Sequence, residues 1–138
     1  MKMELRRLDT AYHMQATNEE GQTVETDGSP SIGGSNKGMR PMQLMLVGLG
    51  SCSSIDIIHL LTKQRQPLED IQISIDSQRA EGEIPSLFTA IQIHYRLYGD
   101  LDEKKVERAV TLSMEKLCSV AKILEKTAKI TWSWEIIA

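Results

Sequence analysis

The segment from Met42 to Leu61 constrains this chain more than any other. It is apolar nearly throughout and long enough to cross a bilayer, yet it carries Gln43, Asp56, His59 and a cluster of serines. Ionisable and polar groups at membrane depth are costly, so the segment reads as a helix buried in the core of a globular fold. Pro41, whose fixed φ suits a first helical turn, opens it. Apolar residues then run almost all round the helix, the pattern of a segment covered on every side. A chain of 138 residues is long enough to build such a core, and a single domain spanning 1–138 is expected. Its net charge of −3 gives no attraction to phosphate backbones or anionic lipid, so neither nucleic acid nor a membrane is an expected partner. The N-terminal residues include basic ones with no apolar stretch after them, which excludes a signal peptide and points to the cytoplasm.

Around this helix the chain reads as α+β. Short strands are expected at Met3 to Leu8, Tyr12 to Thr17 and Thr23 to Thr26, separated by turn residues. Asp27 to Gly38, rich in Gly, Ser, Pro and Asn, reads as a mobile surface loop with little to bury. After the Gln66-Pro67 break, Ile71, Ile73 and Ile75 alternate with polar residues, and Phe88 to Leu97 does likewise, giving two antiparallel strands joined by a hairpin. Asp100 with Glu103 has the spacing of a capping box, and Val106, Val110, Met114 and Leu117 form one helical stripe. A short helical segment at Ser119 to Lys126 and a final alternating strand through Ile130, Trp132, Trp134 and Ile136 complete the order. Strand and helix runs that are segregated rather than regularly alternating indicate α+β.

The chemistry rests on two cysteines. In a chain without an export signal they stay reduced at rest, which favours a reactive role over a structural staple. Cys52 lies in Gly48-Leu-Gly-Ser-Cys-Ser-Ser, where small residues leave room for a group to approach the thiol; the alternative is a small buried hydrophobe with glycines that admit another helix. Asp56 and His59 share its helical face, but His59 sits about 10 Å further along the axis, too far for a hydrogen-bonded Cys-His dyad. A carboxylate beside Cys52 would raise rather than lower the thiol pKa. Cys118 follows the second stripe, where a helix beginning just after it would favour thiolate and suit a resolving thiol. His13, His59 and His94 show no metal-ligand spacing, and Ser31 to Gly38 lacks the order of a phosphate loop, so no metal or cofactor is expected. Met39, Met42 and Met45 read as core filling, or as an adaptable lining for an apolar ligand.

Arg40-Pro-Met-Gln-Leu-Met-Leu-Val-Gly-Leu-Gly-Ser-Cys-Ser-Ser-Ile-Asp resembles the signature of the OsmC/Ohr family, in which a proline-led helix carries the reactive cysteine eleven residues on. Glu115-Lys-Leu-Cys-Ser-Val-Ala resembles that family's second cysteine motif, and Arg79 to Gly99 its middle strands. The resemblance implies an OsmC-like fold, with antiparallel sheets around a central cysteine-bearing helix, in an intertwined homodimer. It also implies thiol-dependent reduction of organic hydroperoxides: Cys52 attacks the peroxide, Cys118 resolves the sulfenic acid to a disulfide, and a lipoyl-type or other dithiol restores the thiols. Active members place a glutamate after the signature proline and an arginine in the N-terminal strands. Here Met42 and then Gln43 follow Pro41, and no arginine lies between Thr10 and Lys37. Gln43, Arg79 and Arg40 are the candidates to assist the thiols in their place, as is a residue of a second subunit. Two other readings compete with the peroxidase: a non-enzymatic dimer that binds an apolar small molecule or senses redox state, and a structural dimer with inert thiols.

Overall fold

Alternating short runs in the first third of the chain give β1 (Met3–Arg7), β2 (Met14–Asn18) and β3 (Thr23–Thr26), an antiparallel sheet in that order. The computed structural model describes residues 1–138 and divides into two compact units, Met1–Val47 and Gly48–Ala138. The expected mobile loop at the end of the first unit is instead ordered around one carboxylate. Asp27 is buried and accepts hydrogen bonds from the backbone N–H groups of Gly28, Ser35 and Lys37 at 2.7, 3.2 and 3.1 Å. The Lys37 N–H holds its carboxyl below the usual carboxylate range, with those of Gly28 and Ser35 acting alike against the opposing effect of burial. The loop therefore buries a charge, and satisfies it with its own backbone.

Pro41 does begin the long helix, α1 (Pro41–Lys63), and Gln43 closes its first turn by accepting the Arg40 backbone N–H at 2.9 Å. By length and mean hydropathy, 1.7 over its most apolar window, α1 could cross a membrane. Its buried face is partly polar: Leu49, Gly50, Ser53, Ser54, Ile57 and Leu61. Ser53 and Ser54 return their hydroxyls to carbonyls one turn back, so neither leaves a buried donor unpaired. The helix is not covered on every side, because Met45, Val47, Ile55 and Ile58 are exposed on a single chain.

In the second unit β4 (Asp70–Arg79) and β5 (Phe88–Tyr98) form the expected hairpin. β5 is the central strand, with Phe88, Ile91, Ile93, Tyr95 and Leu97 buried on one face. A Cβ added to Gly50 would lie 3.1 Å from the Ile75 side chain, so α1 passes close over β4 at that point. β6 (Lys129–Ile137) pairs with the other edge of β5, and it runs parallel. The sheet is thus mixed rather than antiparallel. The cause is the helical crossover of α2 (Glu103–Leu112) and α3 (Ser119–Leu124), which returns the chain to the end where β5 began. The cap of α2 is Asp102, accepting from Lys105 N–H at 3.0 Å, not Asp100.

Candidate active site at two cysteines

The geometry of the second cysteine begins with an irregularity. After α2 the chain makes one wide helical turn, Ser113–Leu117, in which the Cys118 N–H reaches back to the Ser113 carbonyl at 2.8 Å. Such a bulge shifts the phase of everything after it. Val106, Val110 and Met114 are buried as the stripe requires, whereas Leu117 is 49% exposed and Cys118 is fully buried. Cys118 then caps α3, its Sγ accepting the Ala121 N–H at 3.4 Å.

Cys52 projects half-buried from α1 beside Cys118, close enough to act on the titration of that thiol. Both cysteines are free. Burial pushes the Cys118 thiol up to about 11; the Ala121 N–H opposes this and the neighbouring Cys52 adds to it. The capped helix end was expected to favour thiolate, but desolvation outweighs it, and Cys118 is a protonated thiol at neutral pH. A partly exposed thiol beside a buried one is the arrangement needed for a dithiol–disulfide couple.

Three hydroxyls behind the pair were not singled out from the sequence. Tyr95 Oη donates to Ser53 Oγ at 2.6 Å and approaches Met114 Sδ at 3.3 Å. Ser53 Oγ in turn donates to the Leu49 carbonyl at 2.8 Å. Ser113 Oγ donates to Asp56 Oδ2 at 2.9 Å and lies 3.3 Å from the Ser53 carbonyl. Residues flanking Cys52 are thereby tied both to β5 and to the bulge that precedes Cys118. Burial first, then the charges that Cys118 and Asp56 can carry, pushes the Tyr95 phenol well above its ordinary value, with the Ser53 bond opposing, so it stays a donor. The signal was a tyrosine among the isoleucines and leucine of an inward face, since a buried phenol seeks a polar partner.

The assisting candidates have other engagements. Arg40 donates to the carbonyls of Asp27 and Gly38 and to the Asn36 side chain. Gln43 caps α1. Arg79 donates to the Ser86 carbonyl at 3.0 Å, with its guanidinium 5.9 Å from the centre of the Phe88 ring. His59 is exposed, and Asp56 is bound to Ser113 rather than to an imidazole.

The family model for OsmC-like proteins matches residues 34–133, a span that includes both cysteines and every element between them. This chain belongs to the OsmC/Ohr family. Protein YhfA of Escherichia coli K12 is 42% identical over 119 residues, covering 86% of this chain and 85% of that protein. A hypothetical protein from Aquifex aeolicus VF5 has a similar solved structure, with a TM-score of 0.85 at 34% identity over 99% of this chain and 95% of the other. An organic hydroperoxide resistance protein OsmC from Legionella pneumophila shares the fold at a TM-score of 0.72 and 17% identity, over 98% and 97% of the two chains. OsmC/Ohr membership and the adjoining thiols together support thiol-based peroxidase chemistry.

Proposed function

We propose that this OsmC/Ohr chain is a thiol peroxidase that reduces organic hydroperoxides through a Cys52/Cys118 dithiol cycle. The observation that carries the reading is the proximity of a partly exposed thiol to a buried one in a family that includes an organic hydroperoxide resistance protein. Cys52 thiolate attacks the distal peroxide oxygen, the O–O bond breaks, and the alcohol leaves with a proton. Cys52 sulfenic acid then condenses with Cys118 to a disulfide and water. A dithiol of the lipoyl type reduces that disulfide by exchange. Arg79, Arg40 or a residue of a second copy stabilises the Cys52 thiolate, and Gln43 lies one residue past the position of the family's glutamate, which Met42 occupies. Both compact units belong to one OsmC-like domain, and two copies form an intertwined cytoplasmic homodimer. Support for that assembly comes from the apolar side chains left uncovered on one chain: Met3, Leu5 and Val24 on the first sheet, and Met45, Ile55 and Ile58 on α1.

The test is steady-state consumption of cumene hydroperoxide with dihydrolipoamide as reductant. Wild type turns over, Cys52→Ser does not, and Cys118→Ser stalls after about one equivalent. Wild-type consumption no faster than that of Cys52→Ser overturns the peroxidase and leaves a ligand-binding or redox-sensing dimer.

A further inference from the structure

We infer that Asp56 accepts the proton that the Cys118 thiol sheds when it attacks oxidised Cys52, and that Ser113 is the positioning residue that holds Asp56 for the purpose. The inference rests on Cys52 and Cys118 as a redox pair, not on a peroxide as the oxidant. Cys118 is fully buried and keeps its proton to about pH 11, so at neutral pH the resolving step needs an acceptor within the protein. Asp56 lies one helical turn beyond Cys52 on α1. Its carboxylate accepts the Ser113 hydroxyl at 2.9 Å, and the carbonyl of the same serine accepts the Cys118 N–H at 2.8 Å. One residue therefore grips both the proposed acceptor and the backbone of the proton donor.

The other titratable groups on these elements do not serve. Tyr95 on β5 is itself a donor to Ser53, and its phenol holds its proton more tightly than usual. His94 on the opposite face of β5 is bound to Ser133 and Glu135. On the bulge Glu115 and Lys116 are exposed, and on and after α3 Lys122 and Glu125 pair with each other at 3.1 Å. His59 and Lys63 on α1 are exposed. In the step itself the Cys118 S–H bond breaks and its proton passes to the Asp56 carboxylate. The freed sulfur pair attacks the Cys52 sulfur, the S–O bond of the sulfenic acid breaks, and the leaving hydroxide takes the proton as water.

The experiment isolates this step from peroxide chemistry. Reduced protein is labelled at Cys52 with one equivalent of Ellman's reagent at acidic pH, the mixed disulfide is confirmed by peptide mapping, and a jump to higher pH starts release of the second thionitrobenzoate by Cys118. Wild type releases it with a shallow pH dependence near neutrality, and Cys118→Ser does not release it. Asp56→Asn slows release at least tenfold at pH 7, within the range for loss of a general base, and steepens the profile toward tenfold per pH unit. The sign discriminates, because a merely electrostatic role predicts the reverse: a carboxylate and a thiol that both act on the Tyr95 phenol share one neighbourhood, and removing a negative charge from it lowers the thiol pKa and speeds the attack. Release at or above the wild-type rate in Asp56→Asn overturns the inference. Should that variant lack the wild-type circular dichroism, Ser113→Ala decides: release slowed at least threefold with the same steepening supports it, and an unchanged rate overturns it. A wild-type mixed disulfide that never releases its label overturns this inference and the dithiol pairing together, whereas release without peroxide turnover removes only the peroxidase.

Discussion

Raising the pH from 8 to 11 under reducing conditions should destabilise the folded protein through Cys118, and the size of the effect follows from its burial. The thiol loses its proton near an ordinary value of about 9 when unfolded and near about 11 when folded. Between those values the unfolded chain binds fewer protons than the folded one, so stability falls as pH rises. The stabilisation is fully present below about pH 9 and lost as pH passes through about 11. Two pH units at about 1.4 kcal/mol each set a ceiling of about 3 kcal/mol. Urea unfolding with a phosphine reductant, for wild type and Cys118→Ala at each pH, reads this directly, since titrations away from the cysteine pair cancel in the difference. The stability gap between the two should shrink by about 2–3 kcal/mol from pH 8 to pH 11. A gap that is constant across that range would refute the argument that Cys118 is desolvated.

Two further substitutions examine the supports of the site and the loop. Tyr95→Phe removes the hydroxyl that donates to Ser53 and should cost about 1 kcal/mol in urea unfolding; equal or greater stability would mean that the bond contributes nothing. Gly34→Ala places a Cβ 1.9 Å from the Gly28 carbonyl oxygen, backbone that a rotamer change cannot relieve. The variant should lose about 2 kcal/mol or more, and an unchanged unfolding midpoint would show that the Asp27 loop is not held as described.

Much of the element order was legible because it rests on local periodicity. The alternation in β4 and β5 and the Pro41 start of α1 are patterns of neighbouring residues, and the structure places them within a residue or two. What was illegible depended on contacts distant in sequence. The parallel pairing of β6 is decided by how α2 and α3 carry the chain back, and its alternation fits either direction. Leu117 continues the stripe in the sequence, but the bulge at Ser113–Leu117 turns it outward and turns Cys118 inward. Asp100 has capping-box spacing to Glu103, but the backbone places the cap of α2 at Asp102. At the site, the two cysteines could be named from their motifs, whereas Ser113 and Asp56 are 57 residues apart and Tyr95 and Ser53 are 42 apart. Side-chain pairs at such separations leave no periodic trace. The Asp27 loop misled for a related reason: its composition is that of a flexible segment, and one buried carboxylate gathers its amides.

The most direct test of the central claim is anaerobic mixing of the reduced protein with one equivalent of cumene hydroperoxide, followed by intact mass and peptide mapping, with Cys52→Ser and Cys118→Ser alongside. The account predicts rapid loss of two hydrogens in a Cys52–Cys118 disulfide, consumption of peroxide only where Cys52 is present, and a trapped Cys52 sulfenic acid in Cys118→Ser. Both thiols still reduced, under conditions that fully oxidise a competent thiol peroxidase, would contradict it.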